Sequence, residues 1–133
     1  MCILETLFML MATVVAFLYK GDDFYPLLIS SGILFGVGIS LYAIGFRANE
    51  YTAGRREGML TVTLTWLLLS LLGMLPFYLG GYIDNITDAF FETMSGFTTT
   101  GSTILTDIEA LPKGVLFWRS LTQWQGGIGM IVF

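Results

Sequence analysis

Thr98-Thr99-Thr100-Gly101-Ser102-Thr103 is a run of small residues, five carrying hydroxyls and one a glycine. Such residues make poor helix and good extended backbone, and a row of free carbonyls is how protein replaces the water shell of a dehydrated cation. Two opposite charges flank the run, Glu92 before it and Arg119 after it. Little else in the chain carries chemistry. There is no His and one Cys, Cys2, and no cluster with metal-ligand spacing. Ser95-Gly96 has the look of a membrane serine nucleophile, but no His stands by to activate it. The residues point to ion handling and away from an enzyme.

The surrounding chain is membrane-like. Of its 133 residues 55% are hydrophobic and 12% charged, against about 25% charged in a soluble domain. Several apolar runs approach the roughly 20 residues that span a bilayer, so the reading is an integral membrane protein with several passes. Cys2 alone makes no internal disulfide. The first apolar run lacks the basic start and small-residue cleavage site of a signal peptide and reads as a retained helix. The net charge of −4 identifies no partner, because charge in a membrane protein acts by location.

The first span runs from about Cys2 to Tyr19, broken only by Glu5. An acidic turn, Lys20 to Pro26, leads to a second span, Leu27 to Phe46, in which Gly32 and Gly36 form a small-residue face suited to helix packing. Arg47 to Gly58 holds Arg47, Arg55 and Arg56 against Glu50 and Glu57, half of the six basic residues. The positive-inside rule puts this loop and the N-terminus in the cytoplasm, with the protein in the cell inner membrane. Arg55-Arg56 reads as a topology signal and not as a nucleic-acid site. The third span, Met59 to about Leu79, returns outward and should kink near Pro76. Asn85-Ile86-Thr87 matches a glycosylation acceptor by chance.

From Thr87 or Asp88 to Phe97 there are only about ten residues, or about 15 Å of helix, half of a bilayer. This helix enters from outside, stops near the midplane and hands over to Thr98–Thr103. Its C-terminal end carries partial negative charge, which favours a cation. Gly101 frees the backbone to turn successive carbonyls to one side. A polar loop, Thr106 to Lys113, stays outside, and a last helix runs inward from Gly114 to Phe133, where it stops in mid-span as a fragment would. Glu92 and Arg119 fall at about the same depth, 7–9 Å by helix rise, so an ion pair bracing the filter is expected. Gly126, Gly127 and Gly129 read as a close-packing face, with a gating hinge as the sharper alternative. Trp118, Trp124 and Tyr82 read as interface anchors or packing residues. The fold expected is an all-α polytopic membrane protein: residues 1–57 form a helix pair with a basic loop, and 58–133 one helix–pore–helix repeat with a re-entrant half-helix and an extended filter segment.

Phe91-Glu92-Thr93-Met94-Ser95-Gly96-Phe97-Thr98-Thr99-Thr100-Gly101-Ser102-Thr103 resembles the first pore loop of the Trk/Ktr/HKT superfamily, most closely its TrkH-type members. Phe117 to Trp124 and Gly126-Gly127-Ile128-Gly129 resemble the start of that family's next helix. The resemblance implies potassium as substrate, with no covalent cofactor, passing a filter of Thr99, Thr100, Gly101 and Ser102. Thr98 would stand at the inner mouth, and Thr99 and Thr100 would contact the ion. Selectivity for potassium over sodium follows from the resemblance alone. Family members carry four such repeats as a pseudo-tetramer, so further repeats or copies are implied as partners, together with the lipid bilayer and a cytoplasmic nucleotide-binding regulatory subunit. The alternative is a truncated, non-conducting chain that packs with a full-length homologue.

Overall fold

The computed structural model describes residues 2–47 and 54–132. Glu50 and the other residues of 48–53 in the basic loop lie outside the described residues, as do Met1 and Phe133. Six helices follow one another: α1 (Cys2–Leu18), α2 (Phe24–Phe46), α3 (Arg55–Gly73), α4 (Leu75–Leu79), α5 (Ile86–Phe97) and α6 (Lys113–Val132). There is no strand among the described residues.

Local chemistry sets the ends. Gly54 N–H donates to Glu57 Oε2 at 2.6 Å, so α3 begins at Arg55, four residues before the apolar run, and takes Arg55 and Arg56 into its first turn. Its hydrogen bonding breaks around Met74, and α4 carries Pro76 in its first turn, where proline's missing N–H is harmless. Asn85 Oδ1 accepts from Thr87 N–H at 3.1 Å, so the apparent glycosylation match is a helix N-cap and α5 starts at Ile86.

Two stretches, Phe24–Phe46 with 23 residues and Arg55–Leu79 with 25, are long and apolar enough to cross a bilayer. The 12 residues of α5 reach about 18 Å, which is too short. Within the apolar helices hydroxyls bond back to their own chain: Thr6, Thr13, Ser30 and Thr65 each donate to the carbonyl four residues earlier, which hides the polar group from hydrocarbon. Leu7, Val14, Ile29, Phe35 and Leu64 face outward as an apolar belt.

Inside, α1 lies against α2 and α6, α6 against α5, and α3 against α5. Met9, Ala12, Ala16, Leu27, Leu34, Phe77, Val115 and Trp118 form the core where these helices meet. The α5–α6 crossing depends on two glycines. A Cβ on Gly126 would fall 2.0 Å from the carbonyl oxygen of Phe97, and one on Gly96 would fall 2.4 Å from Thr122 Oγ1. The Gly32/Gly36 face behaves differently: nothing lies within 4 Å of a Cβ at either position. That face packs against no described part of this chain.

Candidate functional site

The candidate filter loop leaves α5 through a left-handed turn. Thr98 caps the helix, Thr99 follows at φ +58°, Thr99 N–H donates to Gly96 O at 3.0 Å and Thr100 N–H to Ser95 O at 3.0 Å. These are the paired bonds of a Schellman motif, with threonine at the left-handed position that glycine usually fills. A β-branched residue there is strained, and Thr99 Oγ1 offsets part of this by donating to Thr98 O at 2.7 Å. Gly101 is again left-handed, φ +75°. Thr98 Oγ1 donates to Met94 O at 2.8 Å and lies 2.8 Å from Thr100 Oγ1.

The amides of Thr98, Thr99, Thr100 and Gly101 thus turn back onto the orphan carbonyls of α5. The carbonyls of Thr99, Thr100 and Gly101 accept from no donor among the described residues, and these three residues are exposed. Ser102 differs from these three in its hydrogen bonding. Its carbonyl accepts from Ser95 Oγ at 2.6 Å, so it is tied back to α5 while its three predecessors stay free. The expected extended segment is a turn at Thr98–Thr99 followed by irregular backbone.

The return limb is held by charge. Glu92 is buried, and Arg119 Nε donates to its Oε1 at 2.7 Å. Thr103 Oγ1 lies 3.0 and 2.9 Å from the two carboxylate oxygens, and Ile104 N–H donates to Oε2 at 3.2 Å. One carboxylate therefore joins α5, α6 and the limb beyond Ser102. Charge-assisted bonds of this kind are short and strong, and the pairing lowers the cost of each charge at membrane depth.

The helix α6 carries Arg119 and is itself pinned. Trp118 is fully buried and its Nε1–H donates to Gly73 O at 3.0 Å, so it is a packing residue. Trp124 is 55% exposed, edge-on to Phe8. At the helix start, Asp23 from the α1–α2 turn accepts from Val115 N–H at 2.9 Å through Oδ2 and is fully buried. Burial pushes the nearby Tyr82 hydroxyl above its ordinary range, and the carboxylates of Asp23 and Asp22 add to the effect. Glu5, also buried, has no hydrogen-bond partner among the described residues. Sequence reasoning missed Ser95 and Asp23. Ser95 lay inside the quoted motif, but Asp23 acts across a separation that no local pattern records.

Residues 32–133 match the family model for TrkH, a cation transport protein. The chain belongs to the TrkH family. TrkH proteins are membrane transporters and not an enzyme family. The Trk system potassium uptake protein TrkH of Vibrio parahaemolyticus is 37% identical over 125 residues, 93% of this chain and 26% of that protein. The TrkH of Escherichia coli K12 is 50% identical over 78 residues, 58% of this chain and 16% of that one. An uncharacterized cation transporter of Methanocaldococcus jannaschii is 35% identical over 130 residues, 95% and 26% of the two chains. The crystal structure of the potassium transporter TrkH from Vibrio parahaemolyticus superposes with TM-score 0.86 at 37% identity, covering 98% of this chain and 29% of that one. The all-helical membrane fold is therefore that of TrkH. The chain spans about a quarter of the Vibrio and Methanocaldococcus relatives.

Proposed function

We propose that this chain supplies one wall of a potassium pathway through the cell inner membrane, as part of a Trk-type uptake system. The reading rests on Thr99, Thr100 and Gly101: these residues are exposed, their amides bond back to α5, and their carbonyls accept from no donor among the described residues. A potassium ion loses water at the outer mouth and is met by these oxygens, with Thr98 at the inner end of the row and Ser102 at its outer end. The C-terminal end of α5 adds partial negative charge beneath them. Glu92 and Arg119 hold the return limb so that the row keeps its shape. A single strand faces an ion from one side only, so the other sides come from further repeats or copies.

In this reading residues 58–133 are the pore repeat and 1–57 the helix pair that steadies it. The N-terminus and basic loop lie in the cytoplasm, and a cytoplasmic nucleotide-binding subunit regulates the assembly. The test is a chimera in which residues 58–133 replace the corresponding part of the Vibrio TrkH. Potassium-uptake-deficient cells carrying it should take up rubidium, and Gly101→Arg should abolish uptake at equal membrane levels of protein. Equal uptake with and without the arginine would contradict the reading.

A further inference from the structure

The α1–α2 turn reaches the filter loop through a series of direct contacts. Asp23 is fully buried between α1 and α6, and its Oδ2 accepts from Val115 N–H, at the open start of α6. The fit around this carboxylate is close. A Cβ on Gly114 would fall 2.3 Å from Oδ2, and one on Gly21 would fall 2.2 Å from Oδ1. An α6 residue with a side chain at 114 could not bring its amides to this acceptor. An acid at a helix start satisfies an orphan N–H and opposes the positive end of the helix dipole.

Arg119 stands four residues after Val115, one turn further along the same face of α6. It donates to Glu92, and Glu92 accepts from Thr103 Oγ1 and Ile104 N–H on the return limb. Position and rotation of the first turn of α6 therefore set where the Arg119 guanidinium lies, and through Glu92 where the return limb lies.

We infer that Asp23 is a positioning residue for the filter: it fixes the start of α6 so that Arg119 and Glu92 hold Thr103 and Ile104 in register. This rests on the filter reading above and gives the α1–α2 pair, which precedes the pore repeat, a task in that repeat. Asp23 acts through its bond to Val115, the turn of α6 from Val115 to Arg119, and the hydrogen bonds that Glu92 accepts from Arg119, Thr103 and Ile104.

The test is residue-resolved amide hydrogen exchange of the full chain in lipid nanodiscs, reading Val115, Ile104 and, as reference, Leu34 in the middle of α2. Asp23→Ala should speed exchange at both Val115 and Ile104 by about five- to tenfold, with Leu34 unchanged, because local opening of a cap does not require global unfolding. Asp23→Asn keeps an acceptor of the same shape without the charge, and should return both amides most of the way to wild type. If the alanine variant fails to fold, the asparagine variant alone decides, since both amides must then move together by a smaller factor. Faster exchange at Val115 with Ile104 unchanged, no change at either, or an equal rise at Leu34 would each overturn the inference. The chimera with Gly101→Arg reports separately on the filter reading, so loss of coupling between Asp23 and Ile104 is distinguishable from failure of the proposed function.

Discussion

The two limbs of the candidate filter loop are held by different means. The inner limb, Thr98 to Gly101, is fastened by its backbone amides, which bond to the last turn of α5 and leave three carbonyls without donors. The outer limb, Thr103 and Ile104, is fastened by a side chain, the buried carboxylate of Glu92, which Arg119 neutralises. Ser102 divides them, its carbonyl already taken by Ser95. The ion site proposed for this loop needs oxygens that are fixed yet unused. Using N–H groups to fix one limb and a carboxylate to fix the other meets both needs.

Breaking the outer limb should have the largest effect. Arg119→Leu leaves Glu92 buried without its countercharge, which costs about 3–5 kcal/mol when a buried pair loses one member. Thermal unfolding in detergent should show the loss, and Glu92→Gln in the same chain should recover much of it. Strictly additive losses in that double-mutant cycle would mean that the two residues act independently.

Gly126→Ala strikes under the inner limb, where its methyl would overlap the Phe97 carbonyl. Overpacking of this kind costs about 1–3 kcal/mol, while Gly32→Ala, on the open face of α2, should be neutral or stabilise by up to about 1 kcal/mol. Equal losses at the two glycines would contradict the assigned packing. Gly101→Ala asks an alanine to hold φ +75°, at about 1–2 kcal/mol. In the chimera it should depress rubidium uptake more than it lowers the unfolding temperature, because the inner limb carries the oxygens. Ser95→Ala should be mildest, about 1 kcal/mol for one lost hydrogen bond. By freeing the Ser102 carbonyl it should also blur the boundary between the limbs, read as a changed rubidium-to-sodium preference.

The broad architecture was legible because length and hydropathy constrain it. A ten-residue apolar helix cannot cross a bilayer, so the turn-back at Phe97 followed from counting. Glu92 and Arg119 were legible as a pair because two helices entering from one side put both at one depth. The glycines were legible only by type. Spacing says that close approach is possible at Gly32, Gly36 and Gly126, but not which partner uses it, and only Gly126 meets another helix here. The start of α3 was misplaced by four residues because hydropathy outweighed the Gly54–Glu57 cap. Asp23 was read as part of an acidic turn, since its partner Val115 lies 92 residues away. The free and occupied carbonyls were beyond reach, because Thr100, Gly101 and Ser102 differ in hydrogen bonding and not in any pattern of residue types.

Isotope-edited infrared spectroscopy can separate the carbonyls on the two sides of the division at Ser102. Carbon-13, oxygen-18 labels at the Thr99, Thr100, Gly101 and Ser102 carbonyls of the chimera, placed one at a time by semisynthesis, report the frequency of each carbonyl. On exchanging a large organic cation for potassium, the bands of Thr99, Thr100 and Gly101 should shift and that of Ser102 should not. A shift at Ser102 equal to theirs, or no shift at any of the four, would contradict the division.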